Sequence, residues 1–336
     1  MEPGHALPLD GLPVFKDRRT GLVIYGIFEI IGGVLCAVFI PLMILGQVLS
    51  QGRTGAEPQY RLILPGLAVY AALAVLLVVL GIGSIRARRW ARAFGLILGW
   101  SWLLTGSIAL ITYAFVLPKI LATVSVGGPT VPPVAKLVIL IVGLAFSAVL
   151  MVLIPLAVVL FYRSPHVRAT CEAHDPIIRW TDKCPLPVLG LSLWLAAGAA
   201  SMLLMPVVYS GAAPFFGVLL SGIAGMIFYL CMAISFGLLA RGIYRLAPDA
   251  WWVVLALCVL LGISNVLTFA RIDPREMYRL MGYSKAQLQQ LQGLNILNSD
   301  WIACLSGLSI LPMLGYLLYV RRFFCGPSRT SLLVEK

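Results

Sequence analysis

Charged residues are scarce in this chain, and their scarcity excludes a soluble domain. Only 11% of the 336 residues are Asp, Glu, Lys or Arg, whereas the water-facing surface of a soluble domain needs about a quarter. The short motifs of several enzyme classes are also missing. The sequence contains no phosphate-binding glycine loop, no serine nucleophile elbow and no HExxH zinc motif. Neither composition nor motifs therefore indicate a soluble enzyme.

Apolar residues make up 60% of the chain and are concentrated in eight long segments. Each segment has roughly 20 or more residues, which suffices for a helix to cross a hydrocarbon core of about 30 Å. Lipid offers no partner for unpaired backbone groups, and no barrel-like alternation is present, so the segments should be helical. We therefore predict an all-α, polytopic integral membrane protein. The predicted spans 1 to 8 are residues 21–49, 62–85, 94–116, 137–162, 188–210, 214–240, 251–270 and 301–320.

Positive charge is distributed unevenly between the two ends of these spans. The net charge of +12 could indicate nucleic-acid binding, but with the N-terminus inside about two thirds of the Lys and Arg residues fall on the cytoplasmic side. This is the bias of the positive-inside rule, so we predict a cell-membrane protein with both termini cytoplasmic and no nucleic-acid partner. Its expected partners are the lipid bilayer and, at the cytoplasmic face, anionic lipid headgroups.

Several conspicuous residues recur at locally constant spacing in the two halves of the chain. Leu and Val match by chance in apolar helices, but recurring Asp, Gly, Pro, Tyr and Arg carry more weight. Each half holds four spans, an even number, so the sequence predicts two parallel four-helix repeats. Spans 3 and 7 show no convincing alignment. The matched pairs are Asp17 with Asp182, Gly33 with Gly198, Pro41 with Pro206, Gly66 with Gly225, Tyr70 with Tyr229, Gly83 with Gly242, Arg86 with Arg245, Pro155 with Pro312 and Tyr162 with Tyr319.

A long polar stretch divides the two predicted repeats. It lies mid-sequence and is rich in charge, His, Cys and Pro. The resulting organisation is a cytoplasmic tail (1–20), a first four-helix repeat (21–162), a cytoplasmic connector (163–187), a second four-helix repeat (188–320) and a cytoplasmic tail (321–336).

Small residues in predicted span 6 are spaced four apart. Gly217, Ser221 and Gly225 have the spacing that lets two helices approach closely. We predict that this face packs inside the bundle.

Glu29 is the only acidic residue within the eight predicted spans. A carboxylate in the membrane is costly and marks a candidate functional site. One interpretation is a proton or cation site, and the other is a protonated glutamate hydrogen-bonded to a nearby Ser, Thr, Tyr or Asn. Asn265 in span 7 is a candidate neighbour, although intramembrane Asn more often joins helices by hydrogen bonds. The equivalent position in the second half is Trp194, so such a site would be built from one half only.

The connector contains four residues that are able to bind zinc: His166, Cys171, His174 and Cys184. Tetrahedral zinc needs four such ligands, often in pairs separated by two to five residues, and Cys184 stands apart from the other three. The alternative is a solvated loop beside the membrane in which these residues bind no metal. No other cofactor is predicted.

These observations leave three functional hypotheses. The favoured one is a non-catalytic scaffold or subunit of a membrane complex with protein partners, because one acid and one asparagine make a poor pathway for a polar solute. The second is a transporter of ions or small molecules with Glu29 in its pathway. The third is a membrane enzyme or metal-binding protein that uses the His and Cys residues of the connector, although the sequence favours no enzymatic activity.

Overall fold

Helices dominate the computed structural model of the chain, which describes residues 16–54, 60–123, 132–280 and 299–324. Both ends of the chain, residues 1–15 and 325–336, lie outside this description, and with them most of the two predicted tails. The elements are α1 (Arg19–Thr54), α2 (Tyr60–Ile85), α3 (Arg89–Thr123), α4 (Pro133–Ala148), a π-helical turn (Val149–Leu153), α5 (Ile154–Arg163), α6 (Pro165–His174), a 3-10 turn (Trp180–Asp182), α7 (Leu186–Val208), β1 (Ala213–Phe215), β2 (Val218–Leu220), α8 (Ile223–Tyr244), α9 (Pro248–Arg271), α10 (Pro274–Leu280) and α11 (Ser299–Arg321).

Seven helical segments of the described residues are long and apolar enough to cross a bilayer, which confirms the prediction of a multi-spanning membrane protein. They correspond to predicted spans 1 to 7. Span 8 coincides with α11. Within α11 the structure describes one apolar helical stretch, Ile310–Arg321, and this stretch is shorter than a span. The count of eight therefore stays a prediction. The seven segments are Arg19–Leu49, Ile63–Ile85, Arg89–Pro118, Val134–Arg163, Leu186–Val208, Ile223–Tyr244 and Pro248–Arg271.

Consecutive spans pack as antiparallel neighbours. In the first half α1 packs on α2, and α3 packs on the continuous segment formed by α4, the π-helical turn and α5. In the second half α7 packs on α8, and α9 packs on α11. A buried cluster of apolar side chains from α3, α7, α8, α9 and α11 joins the two halves.

Glycines let α1 and α2 touch backbone to backbone. A Cβ added at Gly81 would lie 2.5 Å from the carbonyl oxygen of Gly26, and one added at Gly26 would lie 2.7 Å from that of Gly81. Further along the same face, a Cβ at Gly33 would lie 2.9 Å from the carbonyl oxygen of Ala74. Small residues seven apart on both helices therefore set this close crossing, as is common in membranes.

The π-helical turn in span 4 has a local cause. Pro155 has no N–H, so the carbonyl of Met151, four residues earlier, lacks its usual helical donor. This carbonyl lies against Gly106 of α3, so close that any Cβ there would overlap it. The proline thus exposes a backbone acceptor at the point where α3 approaches, and only a glycine fits opposite it.

The turn after α2 and the turn after α8 have the same backbone structure. Ala87 and Leu246 occupy equivalent positions, each with a positive φ, of 49° and 56° respectively. Both helices end in the double hydrogen-bond pattern of a Schellman motif. The bonds are Ala87 to Ser84 and Arg88 to Gly83 after α2, and Leu246 to Ile243 and Ala247 to Gly242 after α8.

The helices that follow these two turns also begin alike. A Cβ at Gly83 would lie 2.8 Å from the Cβ of Ala91, and one at Gly242 would lie 2.7 Å from that of Ala250. The separation of Ala91 from Ala250 in the sequence equals the separation of Gly83 from Gly242. Spans 3 and 7, which the sequence alone does not align, therefore start with equivalent contacts.

Span 6 begins later than predicted. The sequence predicts a helix from residue 214, but α8 starts at Ile223, and β1 and β2 form an antiparallel hairpin before it. Phe216 and Gly217, the two turn residues, have positive φ values of 47° and 84°, as in the favoured two-residue hairpin turn. The helical prediction for residues 214–222 is therefore wrong, because a short apolar run reads the same in a strand and in a helix.

The predicted packing face of Gly217, Ser221 and Gly225 is wrong for the same reason. Gly217 lies in the hairpin turn and Ser221 lies between β2 and α8. Gly225 alone belongs to the helix, where it packs tightly against the carbonyl of Gly211. Its contact is thus with the loop after α7 and not with the face of a neighbouring helix.

The hairpin is tied to α9 through two buried hydroxyl groups. The N–H of Phe216 donates to Oγ of Ser264 at 2.9 Å, and the N–H of Gly217 donates to Oγ1 of Thr268 at 3.0 Å. Both α9 side chains are buried. These bonds give partners to backbone donors that the turn leaves unpaired, and they attach the loop between spans 5 and 6 to span 7.

The crossing of α1 and α2 can be tested with Gly81→Ala. We expect it to lower the free energy of unfolding by about 1–3 kcal/mol, since the added methyl group overlaps the backbone of α1. Gly237→Ala in α8 is the matched control, because nothing lies within 4 Å of its Cβ position, and it should be neutral or slightly stabilising. Denaturant titration of the purified chain in detergent measures both, and equal stability of the two variants would contradict the close crossing.

Candidate functional site

Three polar side chains from α1, α2 and α5 meet at Glu29. The hydroxyl of Ser84 donates to Oε2 of Glu29 at 2.9 Å, and the hydroxyl of Tyr162 donates to Oε1 at 2.9 Å. The two hydroxyl oxygens lie 2.7 Å apart. Ser84 and Tyr162 are buried, while Glu29 is half-buried. We call this group the Glu29 triad.

A count of protons indicates the charge state that suits the Glu29 triad. Three short oxygen contacts need three protons, but the two hydroxyl groups supply only two, since each carries one. A protonated Glu29 supplies the third and closes a ring of three hydrogen bonds, in which the bond between Glu29 and Ser84 reverses: the carboxyl O–H donates to Ser84, Ser84 donates to Tyr162, and Tyr162 donates to Oε1. An ionised Glu29 would leave one pair of facing oxygens without a proton between them. The geometry therefore suits a neutral glutamate.

The Glu29 triad lies near the connector end of the bundle. Ser84 is one residue from the end of α2 at Ile85, and Tyr162 is one residue from the end of α5 at Arg163. Beside it, Tyr25 of α1 stacks on Phe161 with ring centroids 4.2 Å apart. Aromatic packing and hydrogen bonding thus hold α1 against α5 at the same level.

The structure does not bring Asn265 to Glu29. Among the described hydrogen bonds, Glu29 bonds with Ser84 and Tyr162. Asn265 is half-buried in α9, between the two hydroxyl residues that hold the hairpin.

The second half has no equivalent of the Glu29 triad. By the spacing of the predicted repeat, Glu29 corresponds to Trp194, Ser84 to Ile243 and Tyr162 to Tyr319. Ile243 is buried in the core that joins the halves. The indole N–H of Trp194 donates to Oγ of Ser101 at 2.8 Å, which links α7 to α3. The polar group is therefore specific to the first half.

The connector is folded, and α6 is docked on the start of α1. Oγ1 of Thr170 accepts a hydrogen bond from the N–H of Arg18 at 3.0 Å, and Nδ1 of His166 accepts one from the N–H of Lys16 at 3.3 Å. Val167, Thr170 and Cys171 are buried. The segment is thus no solvated loop.

Asp175 anchors the connector to the turn between α2 and α3. Its buried carboxylate forms ion pairs with Arg88 at 3.4 Å and with Arg179 at 3.1 Å, and its carbonyl oxygen accepts from Nε of Arg89 at 2.6 Å. Burial acts to raise the pKa of this carboxyl, but the hydrogen bonds and positive charges of the arginines outweigh it, so the pKa is below its ordinary value. Asp175 therefore remains ionised and bound at neutral pH.

The four predicted zinc ligands do not converge. Cys171 is buried with Leu22 and Tyr162 in one cluster, whereas Cys184 is buried in the cluster that joins the two halves. Within the described part of the chain, no three His, Cys, Asp or Glu residues are grouped so that they could hold a metal. The zinc site thus remains a prediction without a geometric basis.

Burial also makes the two connector cysteines poor sources of thiolate. It raises the pKa of Cys171 to about 11 and that of Cys184 to about 12. The thiolate is the form that binds metal and attacks electrophiles, so both thiols are inert near neutral pH. The arrangement is that of small apolar core residues.

Comparisons of the chain with protein-family models, with curated proteins and with solved structures found no match. The sequence pointed to Glu29 but not to its partners Ser84 and Tyr162, nor to the separate anchor at Asp175. Tyr162 carried one signal in the sequence, its match with Tyr319 in the predicted repeat. Ser84 and Asp175 carried none, because their partners lie far away in the chain.

The Glu29 triad can be tested with Tyr162→Phe, which removes one of its three hydroxyl or carboxyl groups. We expect a loss of about 1 kcal/mol in the free energy of unfolding, typical of interhelical hydrogen bonds in membranes. Tyr319→Phe at the position matched in the predicted repeat is the control, since that side chain is exposed and its hydroxyl bonds with Arg322, which is also exposed. Unfolding titrations in detergent measure both, and an unaffected Tyr162→Phe variant would argue against a stabilising triad.

The anchor at Asp175 can be tested with Asp175→Asn. Loss of the charged partner of two arginines should destabilise the chain by roughly 1–3 kcal/mol at pH 7. Glu172→Gln, which disrupts only the exposed pair with Arg168, is the control and should change stability by less than about 0.5 kcal/mol.

The same anchor predicts a dependence on pH. Because the pKa of Asp175 is lower in the folded chain than in the unfolded one, its stabilisation is present at neutral pH and disappears as the pH falls below about 4. As the pH falls from 7 to 3, the free energy of unfolding of the unaltered chain should therefore approach that of the Asp175→Asn variant. Unfolding titrations at each pH measure both. A constant difference between the two across this range would contradict the ion pairs.

Proposed function

We propose that this chain is a non-catalytic scaffold or subunit of a membrane complex. The observation that carries this proposal is the Glu29 triad, in which both carboxyl oxygens of the only acid in the predicted spans are occupied by Ser84 and Tyr162. Each carboxyl oxygen thus contacts a hydroxyl group of a different neighbouring helix, which is the arrangement of a polar group that joins helices. The geometry thus favours a role in joining α1, α2 and α5.

The apolar faces of the spans support the same proposal. None of the residues in the most apolar part of Val134–Arg163 is buried, and few in that of Arg19–Leu49 are buried. Such faces contact either lipid tails or helices of other proteins, and neither requires a polar pathway through the chain. A subunit that presents two spans to its surroundings is compatible with both.

We also propose that the chain arose by duplication into two parallel four-helix repeats, with both termini and the connector cytoplasmic. Two matching Schellman turns and the matching contacts Gly83 with Ala91 and Gly242 with Ala250 support the duplication. The excess of Lys and Arg at the connector end supports the orientation.

Transport is the second candidate, because Glu29 is only half-buried. Part of this residue therefore has a face that is accessible to its surroundings. In a transporter, proton exchange at this face would open and close the ring of hydrogen bonds. Glu29→Gln separates the two functions, since the amide keeps the size and most hydrogen bonds of a neutral glutamate but cannot exchange the proton.

The experiment has two parts that use the full chain. In the first, the chain is extracted from its native membrane in lipid nanodiscs with a photo-crosslinking residue at Phe146, an exposed position of α4. A scaffold or subunit should crosslink to one protein at fixed stoichiometry, and Glu29→Gln should retain that product. Crosslinks to lipid alone would contradict the proposal for this face.

In the second part, the purified chain is reconstituted alone into vesicles, and proton and cation flux are measured with internal dyes. A scaffold should give no flux above that of empty vesicles. Flux that Glu29→Gln abolishes, with the folded state intact by circular dichroism, would replace the scaffold by the transporter.

A further inference from the structure

Three large apolar side chains of the connector are exposed although they lie outside every span. Ile177, Ile178 and Trp180 are 64%, 57% and 48% exposed. They occupy the segment between α6 and α7, in which Ile177 and Ile178 have irregular backbone and Trp180 is the first residue of the 3-10 turn. Exposed apolar side chains in a contiguous patch mark a surface that contacts something apolar.

The contacts at the two ends of this segment show that it descends along the bundle. At its start, the carbonyl of Asp175 binds Arg89, the first residue of α3. At its end, the ring of Trp180 packs edge-on against Phe94, with centroids 5.9 Å apart. Phe94 lies five residues further into α3, which is about 7.5 Å along a helix. In the sequence, Ile177 and Ile178 lie between these two contacts.

A second span holds the lower end of the segment. The hydroxyl of Tyr244, the last residue of α8, donates to the carbonyl oxygen of Trp180 at 3.0 Å. Trp180, Phe94 and Tyr244 thus form an aromatic group at the ends of two spans, where membrane proteins concentrate such residues. The lower end of the exposed segment is therefore attached to the ends of two spans.

The charges around this patch are those that favour an anionic surface. The carboxylate of Asp175 is buried between arginines, and that of Asp182 accepts the N–H of Arg179. Lys183 is exposed beside them, and the side chain of Arg179 is about one third exposed. The acids of the segment are thus bound within the protein, while the cations remain accessible.

We propose that Ile177, Ile178 and Trp180 insert into the boundary between headgroups and acyl chains of the adjacent leaflet, and that Lys183 binds the phosphate of an anionic lipid there. A tryptophan with neighbouring aliphatic side chains and a cation is the usual composition of an interfacial anchor. The connector then fixes the two halves of the chain to the bilayer as well as to each other. This inference does not depend on the proposed scaffold function, because lipid surrounds a scaffold and a transporter alike.

The test measures the depth of single side chains in vesicles. Ile178→Cys and, as matched control, Ala173→Cys on the exposed side of α6 are introduced into a chain whose native cysteines are replaced, and each is labelled with an environment-sensitive fluorophore. The full-length chain is reconstituted into vesicles that contain phosphatidylcholine with or without phosphatidylglycerol. Lipids spin-labelled near the headgroup serve as quenchers.

Insertion predicts that the label at residue 178 emits at shorter wavelength than the label at residue 173 and is quenched by the spin-labelled lipids. Phosphatidylglycerol should increase this quenching. Lys183→Gln should reduce the preference of the segment for anionic lipid by up to about fivefold, which is the effect of one cation next to an anionic surface. The preference is measured as the increase in quenching that phosphatidylglycerol causes.

Two results would overturn the proposal. Emission and quenching at residue 178 equal to those at residue 173 would place the segment in water. Protection from a water-soluble quencher without quenching by lipid would show that protein covers the patch. Retained circular dichroism in each variant excludes misfolding as the cause of either result.

Discussion

Backbone hydrogen bonding in an apolar medium is the constraint on which the rest of this structure depends. Hydrocarbon offers no partner for an N–H or C=O group, so most of the chain is helical within its spans. The exceptions are local. Pro155 removes the usual donor for the carbonyl of Met151, which packs against Gly106, and the hairpin turn donates two of its N–H groups to Ser264 and Thr268.

The same constraint explains where polar side chains are used. Within the described spans, Ser and Thr hydroxyl groups donate to carbonyls of their own helix, and other polar side chains join helices, as Trp194 does with Ser101 and Ser192 does with the carbonyl of Ala240. The Glu29 triad is the densest of these groups. Its three contacts match three protons when the glutamate is neutral, so an acid can be accommodated there without a buried charge.

Outside the spans, ion pairs join segments of the chain, as hydrogen bonds do within the spans. Asp175 holds the turn between α2 and α3 to the connector through ion pairs with Arg88 and Arg179. The His and Cys residues that suggested metal chemistry have structural environments instead: His166 accepts a backbone N–H, and the buried thiols of Cys171 and Cys184 pack in separate apolar clusters.

The sequence by itself determined the membrane class, the approximate limits of most spans and the position of Glu29 as the only acid within the predicted spans, because hydropathy and an isolated acid are local properties of the chain. The sequence predicted a helix at residues 214–222, where the hairpin lies, because hydropathy does not distinguish a short strand from a helix there. Only the tertiary structure decided the partners of Glu29 and Asp175, the separation of Cys171 from Cys184, and the equivalent starts of spans 3 and 7. Each of these depends on contacts between residues distant in sequence, and no local pattern encodes which distant residues meet.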